Sequence, residues 1–316
     1  MLDPHVRRRH RLRNAVQGFL LLGGMVAVLA ALAWLLFGLV GLFAVAVVAA
    51  IVLATRPAVP AHWVLGMYGA RPVPPAAAPE LHRYVRILAE RAGLAVPPTL
   101  YYVASPMVNA FAVGRRDDSA LAVTDGLLRR LTSRELVGVL AHEIGHIRSD
   151  DLWIMNLSDS LGRLTHGLAY AGLFLLVIAV PLSINGTYAP LWIAVLLTVV
   201  PTVVTLLQLA LSRSREYDAD LHAAELTGDP EGLASALEAL ERCEGRLWER
   251  VMVPRRRAPD PLLLRTHPPT ADRTRRLREL VVSGPHARLG DHRDVPRTAY
   301  PHVQAPTRLR FPGVRW

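Results

Sequence analysis

The sequence predicts a mainly α membrane protein with four transmembrane helices in two hairpins and a cytoplasmic α+β domain that contains a small β-sheet. No residue is charged from Ala15 to Thr55 or from Gly167 to Ser212. A helix needs about 20 apolar residues to cross a bilayer, so each run is long enough for two crossings. Mean hydropathy is +0.27 although the net charge is +10, which requires apolar and charged residues to be segregated along the chain.

Each predicted hairpin has a candidate turn at its centre. Gly38 and Gly41 mark the first turn, and the polar stretch 185–190 marks the second. Neither turn is charged, whereas arginines flank the outer ends of both runs. The positive-inside rule therefore places both termini and all polar segments on the cytoplasmic side of a bacterial plasma membrane, with the lipid bilayer as a partner.

A cleaved signal peptide is the alternative interpretation of the first apolar run. The arginines before Ala15 resemble the basic start of a signal peptide, and Ala31–Ala33 resembles a cleavage site. The apolar run continues far beyond that site, to Thr55, which a signal peptide does not require. A membrane anchor that stays attached is therefore the favoured interpretation.

The composition limits the other function classes. All 36 basic residues are arginine, which is typical of a GC-rich bacterial genome. The single cysteine, Cys243, excludes an intrachain disulfide and fits a reducing compartment. The positive charge would suit a nucleic-acid-binding protein, but many arginines flank the membrane segments, so we expect no nucleic-acid partner. The spans contain few polar residues, which argues against a transporter.

The polar segments divide the chain into further units. Residues 100–103, 109–113 and 120–124 predict three short strands. Thr132 and Glu135 form a capping box that opens a helix, expected to run on towards the membrane, and a separate helix is expected over 214–226. The predicted units are an Arg-rich N-terminus (1–14), a first hairpin (15–55), a linker with an amphipathic helix (56–98), a polar domain in two parts (99–166 and 213–284) around a second hairpin (167–212), and a Pro/Arg-rich tail (285–316).

The capped helix carries the sequence His142-Glu143-Ile144-Gly145-His146. The two histidines lie about 40° apart on the helix surface and can bind one metal ion. Zinc lowers the pKa of a bound water to about 7, and Glu143 is placed to take the proton from that water. A solvated helix face is the alternative interpretation, but the apolar neighbours of the motif argue against simple exposure.

A catalytic zinc site needs a third protein ligand. Glu216 and Asp220 lie one helical turn apart after the last apolar run. Glu216 can supply an oxygen ligand, and Asp220 can accept a hydrogen bond from the distal N–H of a ligand histidine. On its own this pair is better explained as part of a salt-bridged helix face with Arg213 and Arg215. The HExxH motif favours the metal site.

These motifs resemble the HtpX family of bacterial membrane metallopeptidases, with the CaaX prenyl endopeptidases as more distant relatives. The resemblance covers roughly residues 20–280. It is carried by the HExxH stretch, by Ser212–Asp220 after the second pair of spans, by Asn109–Gly114, and by Thr266–Pro269 with Arg273, Arg276 and Leu277.

The resemblance implies a gluzincin-type zinc endopeptidase that clears misfolded or damaged membrane proteins at the cytoplasmic face, as part of protein quality control and stress response. It implies one zinc ion per chain, held by His142, His146 and Glu216, with Glu143 as general base and Asp220 beside a ligand histidine. Protein or peptide substrates are the expected partners. The sequence predicts no particular oligomeric state.

The resemblance also implies two further roles. Asn109, Ala110, Phe111 and Ala112 would form the substrate-binding edge strand, because an extended peptide needs a strand edge to pair with. An ordinary sheet strand is an equally good interpretation of these residues. His267 would donate a hydrogen bond to the developing oxyanion, although a turn histidine before Pro268 is about as good an interpretation.

Two other functions stay open at the level of sequence. One is a peptidase that processes a single partner protein. The other is a membrane scaffold that has kept the motif without activity, a hypothesis that the intact set His142, Glu143, His146 and Glu216 disfavours.

Overall fold

The computed structural model describes residues 4–56, 60–184, 189–251 and 268–280. Long apolar helices form one part of this structure, and shorter helices around a four-stranded sheet form the other. The helices are α1 (Pro4–Thr55), α2 (Ala61–Met67), α3 (Pro79–Ala92), α4 (Asp125–Arg130), α5 (Ser133–Arg148), α6 (Asp151–Ile184), α7 (Ala189–Thr227), α8 (Pro230–Val251) and α9 (Thr270–Glu279). The strands are β1 (Arg71–Pro72), β2 (Thr99–Val103), β3 (Ala110–Arg115) and β4 (Asp118–Thr124).

Three of the described helices are long and apolar enough to cross a membrane: α1, α6 and α7. Met25 and Leu32 of α1 pack against Leu197, Val204 and Leu211 of α7. Large apolar side chains on the outer surfaces of these helices stay exposed. A soluble protein rarely exposes so continuous an apolar surface, so the predicted membrane character agrees with the structure.

Helix α1 bends at Gly38, within the predicted turn of the first hairpin. Gly38 has φ 61° and ψ −143°, which lies outside the helical region and which glycine adopts readily. A Cβ atom built on Gly41 would collide with the carbonyl oxygen of Ala33, eight positions earlier in the chain. In a straight helix these residues would lie about 12 Å apart along the axis. The two arms of α1 therefore fold towards each other at Gly38.

The sheet has the strand order β1-β2-β4-β3. Strands β2 and β4 are parallel, and β3 and β4 form an antiparallel hairpin whose loop is Arg116-Asp117. The three predicted strands are present within two residues of their predicted bounds. The predicted linker contributes β1, which sequence reasoning missed because Pro72 disfavours a strand anywhere except at an edge. Within the described residues, β3 pairs with β4 alone and forms an edge of the sheet.

Helix α5 begins at the predicted capping box. The Thr132 side chain accepts from the Glu135 N–H, and the Glu135 carboxylate accepts from the Thr132 N–H. The buried face of α5, including Leu140 and Ile144, packs in the core beside the sheet. The predicted continuation of α5 into the membrane is wrong. The chain leaves the helix at Asp150, which has φ 57°, and a new helix, α6, begins at Asp151.

Helix α7 runs without interruption from the apolar segment through Thr227. The separate helix predicted over 214–226 is therefore the end of this same helix, because the junction Ser212-Arg213-Ser214 contains no glycine or proline to break it. The predicted metal ligand Glu216 is thus fixed rigidly to an apolar helix. Of the second predicted turn, at 185–190, residues 185–188 lie outside the described residues, and the last two residues already belong to α7, which begins at Ala189.

Asp229 joins two helices of the polar domain. Its carboxylate accepts from the Gly232 N–H at the start of α8, and it accepts two hydrogen bonds, of 2.5 and 2.7 Å, from the Arg134 guanidinium of α5. These contacts with Arg134 and Gly232 lower the pKa of Asp229 below its ordinary value. The ionised carboxylate therefore stabilises the folded state at neutral pH.

We expect Asp229→Ala to lower the apparent Tm by about 2–4 °C at pH 7, because losing such a cap costs about 1 kcal/mol. The contribution of the carboxylate is present above its unfolded pKa of about 3.9 and is lost as the pH falls through the lower folded value. The difference from wild type should therefore shrink in acid. Thermal unfolding in detergent measures this, with Asp117→Ala in the exposed β3–β4 loop as the control. An equal Tm for the two variants at pH 7 would contradict the prediction.

Candidate metal centre

Three predicted side chains meet between α5 and α7. His142 and His146 come from α5 and Glu216 comes from α7, and their ligand atoms all lie within 4.8 Å of one another. His142 Nε2 is 3.5 Å from Glu216 Oε2, and His146 Nε2 is 3.9 Å from Glu216 Oε1. The close approach of the two helices depends on Gly145, since a Cβ atom there would come within 3.2 Å of the Ala219 carbonyl oxygen.

The donor set fits a zinc ion. Bonds of about 2.0–2.1 Å in tetrahedral geometry place ligand atoms about 3.4 Å apart. One ligand atom of each residue lies within 4.8 Å of the others, which is near that spacing. Both Nε2 atoms face Glu216, while both Nδ1 atoms face other carboxylates. Two imidazoles and one carboxylate are also a ligand combination that proteins use for catalytic zinc.

The Nδ1 atom of His142 lies 3.0 Å from Asp220 Oδ1. Asp220 in turn accepts hydrogen bonds of 2.6 and 2.8 Å from the Arg273 guanidinium of α9. Arg273 also lies 3.2 Å from Glu216 Oε2. His142, Asp220 and Arg273 are all buried. The sequence left open which histidine Asp220 would contact, and the structure places it beside His142.

The Nδ1 atom of His146 has an equivalent neighbour that sequence reasoning missed. It lies 3.2 Å from Asp151 Oδ2, and Asp151 Oδ1 lies 3.4 Å from the Arg215 guanidinium. Asp151 is 0% exposed. A carboxylate five positions after His146 was a signal in the sequence, but its contact with His146 depends on the break between α5 and α6. Each histidine thus faces an aspartate, and each aspartate faces an arginine.

Neighbouring carboxylates raise the pKa of both histidines. Burial opposes the charge on His142, but hydrogen bonds to Asp220 and Glu216 outweigh it and raise the pKa of His142 to about 10. Burial opposes the charge on His146 as well, and its hydrogen bond to Asp151 raises the pKa of His146. The site therefore attracts positive charge, and a metal ion competes with protons for the same nitrogen atoms.

Glu143 lies beside the edge of the sheet. Its Oε2 accepts a hydrogen bond of 3.1 Å from the Ala112 N–H of β3. Ala110 and Ala112 belong to the main core, whereas Phe111 faces the other side of the sheet and contacts Tyr68. Two hydrogen bonds with Thr124 fix the Asn109 backbone: the Thr124 N–H donates to the Asn109 carbonyl oxygen, and the Asn109 N–H donates to the Thr124 side-chain oxygen. The structure thus brings the predicted substrate strand and Glu143 together.

The remaining predicted site residue, His267, lies outside the described residues. Pro268, the next residue, is buried, and Arg273 follows on α9. Arg273 belongs to the C-terminal motif that carries part of the family resemblance, and the motif alone predicts no role for it. The structure places its guanidinium in contact with both Glu216 and Asp220.

Comparisons with known proteins show which family the chain belongs to. The sequence model of Peptidase family M48 matches residues 75–281. The chain is 35% identical over 235 residues to the "Protease HtpX homolog" of Burkholderia mallei, a match that covers 70% of this chain and 81% of the relative. The homologue of the same name from Paraburkholderia phytofirmans is 34% identical over 234 residues, with the same coverage of both chains.

A solved structure, that of S. mikatae Ste24p, is also similar to this chain. It is 20% identical, with a TM-score of 0.44, over 87% of this chain and 67% of that one. The family match covers most of the chain, and so does the identity to the HtpX homologues. The resemblance predicted from the motifs is thereby confirmed, and the chain belongs to the membrane metallopeptidases of family M48.

Proposed function

We propose that this chain is a zinc-dependent endopeptidase of the bacterial cytoplasmic membrane, which hydrolyses peptide bonds of misfolded or damaged membrane proteins at the cytoplasmic face. One observation carries the proposal. The three candidate ligands His142, His146 and Glu216 converge beside Glu143, and Glu143 contacts the backbone of an edge strand. Metal ligands, a general base and a backbone surface for an extended peptide therefore share one site.

His142, His146 and Glu216 would hold one zinc ion. Zinc supplies Lewis acidity, which polarises a peptide carbonyl and makes water a nucleophile near neutral pH. Asp220 and Asp151 keep Nδ1 of each ring protonated, so that Nε2 of each ring presents its lone pair to the ion. Arg273 offsets the negative charge of Glu216 and Asp220 and holds both carboxylates in place.

Glu143 would act as the general base. Its carboxylate accepts a proton from the attacking water and returns it to the amine that leaves the cleaved bond. The Ala112 N–H holds one carboxylate oxygen, Oε2, at the strand edge. The Glu143 carboxylate is therefore positioned where a peptide paired with β3 would pass.

The substrate would pair with β3 as an additional strand. Asn109, Ala110, Phe111 and Ala112 would provide that edge. A strand inside a folded sheet already has its backbone groups paired, whereas an unfolded segment has them free. Edge pairing thus selects extended, unfolded chain, which supports misfolded proteins as the substrate class.

His267 would donate a hydrogen bond to the oxyanion. It directly precedes Pro268, and Arg273 of the following helix contacts the candidate ligand Glu216. The short separation in sequence between His267 and Arg273 supports this role. A positioned hydrogen-bond donor stabilises the negative charge that develops on the oxygen during acyl transfer.

The four-span topology is supported by where the helix ends lie. Asn14, near the start of α1, contacts Asp218 of α7, and Arg56, just after its end, contacts Asp150 before α6. Both ends of α1 therefore lie on the same side as the metal centre. Arginines concentrate on that side, so the positive-inside rule makes it the cytoplasmic face.

Glu143→Gln should retain zinc and lose about 100-fold or more in turnover, because general-base assistance is lost while the ligands stay in place. Digestion of casein or of a model membrane protein measures turnover, and elemental analysis measures zinc. Glu80→Gln, exposed at the start of α3, is the isosteric control. Normal turnover in a zinc-loaded Glu143→Gln protein would refute the mechanism.

Asp220→Asn should weaken zinc affinity by roughly 10–100-fold, because an amide fixes the His142 tautomer poorly and Arg273 loses one of the two carboxylates that it contacts. A competitive zinc titration in detergent measures the change. Asp272→Asn on α9, whose partner Arg275 is exposed, is the matched control. Equal affinities for Asp220→Asn and Asp272→Asn would reduce Asp220 to a structural residue.

Single cysteines in a Cys243→Ser background test the topology. Leu39→Cys, beside the bend in α1, and Thr187→Cys, outside the described residues, should react with an impermeant maleimide from outside the cell. His62→Cys and Glu80→Cys should not react, because both would be cytoplasmic. Labelling of His62→Cys from outside would mean that α1 crosses only once and would overturn the four-span arrangement.

A further inference from the structure

A chain of buried polar contacts joins the candidate ligand His146 to the first membrane helix. Asp151, the first residue of α6, contacts His146 on one side and the Arg215 guanidinium on the other. Arg215 also lies 3.2 Å from Asp218, one turn further along α7. Asp218 accepts a hydrogen bond of 2.9 Å from the Asn14 side chain of α1. The side chains of His146, Arg215 and Asp218 are 10–14% exposed, that of Asp151 is 0% exposed, and Asn14 is 1% exposed.

Helix α1 holds Arg215 directly as well. One guanidinium nitrogen, Nη2, donates to the Asn14 carbonyl oxygen at 3.1 Å. The Ser214 hydroxyl donates to the same oxygen at 3.2 Å. Gly18, one turn after Asn14, lies beside the Arg215 guanidinium. A Cβ atom on Gly18 would collide with Nη2 of Arg215. The missing side chain at position 18 is therefore what allows Arg215 to lie between α1 and Asp151.

We propose that Asp151 is a positioning residue for His146, and that helix α1 fixes Asp151 through Arg215. This inference rests on the proposed metal site. A carboxylate hydrogen-bonded to Nδ1 fixes the tautomer and the ring orientation of a ligand histidine. A buried carboxylate needs a compensating charge, which Arg215 supplies. Arg215 has a long side chain, and its contacts with α1 hold it in one conformation.

The two histidines are thus supported from opposite ends of the site. Arg273, which holds Asp220 beside His142, belongs to the short helix α9 of the polar domain. Arg215, which holds Asp151 beside His146, is fixed by an apolar helix that begins the chain. Metal binding therefore depends on how α1 packs against α7, and a change in that packing would reach the site through Arg215.

The first experiment compares two adjacent aspartates. Asp151→Asn should weaken zinc affinity by roughly 10–100-fold, because the amide fixes the His146 tautomer poorly. Asp150→Asn is the matched control, since among the described residues the Asp150 carboxylate pairs with an exposed arginine, Arg56. Asparagine also tolerates the positive φ of this position. Competitive titration in detergent gives the affinity, and the absorption spectrum of the cobalt-loaded protein reports ligand geometry. We expect an altered spectrum for Asp151→Asn and a wild-type spectrum for Asp150→Asn.

The second experiment adds a single methyl group to α1. Gly18→Ala should displace the Arg215 guanidinium and weaken zinc affinity several-fold, with an altered cobalt spectrum. Gly23→Ala on the same helix is the control, because its Cβ atom would meet nothing within 4 Å. Both changes favour the helix, so a loss confined to Gly18→Ala cannot come from helix propensity.

The double variant Gly18→Ala, Asp151→Asn should bind zinc no more weakly than Asp151→Asn alone, because both changes act through one carboxylate. Thermal unfolding of the metal-free proteins identifies a variant that has lost its fold. Wild-type affinity and spectrum in folded Asp151→Asn would overturn the role of Asp151. Equal results for Gly18→Ala and Gly23→Ala would overturn the link to α1. Failure of the wild-type protein to bind zinc would instead overturn the proposed function.

Discussion

The structure depends on keeping two imidazole rings, that of buried His142 and that of partly buried His146, oriented so that their Nε2 atoms converge on Glu216. Each ring is held by an aspartate at Nδ1, and each aspartate is held by a buried arginine. An isolated charge in such a position would be costly, but the alternation of acid and base compensates each charge by its neighbour. The break between α5 and α6 and the unbroken course of α7 both serve this arrangement.

A single helical stretch of α7 supplies most of the groups. Glu216 and Asp220 lie one turn apart and face α5 and α9, whereas Arg215 and Asp218 face α1 and the start of α6. At about 100° per residue, positions 215 and 216 point in different directions, so consecutive residues can serve different neighbours. A break at the end of the apolar segment would uncouple these two faces, which explains why α7 continues through it.

The sequence was informative where chemistry depends on local spacing. The HExxH pair, the capping box and the one-turn spacing of Glu216 and Asp220 are features of single helices, and the structure contains each of them. The sequence did not predict the role of Asp151, because its contact with His146 requires the chain to change direction at Asp150, and no local sequence pattern predicts that change. The sequence also left open which histidine Asp220 contacts, because that contact joins two different helices. The sequence predicted two helices where α7 is one, because the side chains change abruptly from apolar to charged near Ser212 while the backbone stays helical.

Arg215 shows how a correct general rule can hide a specific role. An arginine at the end of an apolar run is typical of the positive-inside pattern, and the sequence predicts this topological role for Arg215. A topological arginine would offer its charge to water and lipid headgroups. Arg215 instead is 8% exposed and lies between two carboxylates, Asp151 and Asp218. Asp218 also accepts a hydrogen bond from the Asn14 amide, and Asp151 also faces His146. The Arg215 guanidinium therefore forms its ion pairs inside the protein, and these contacts connect the membrane helices to the metal centre.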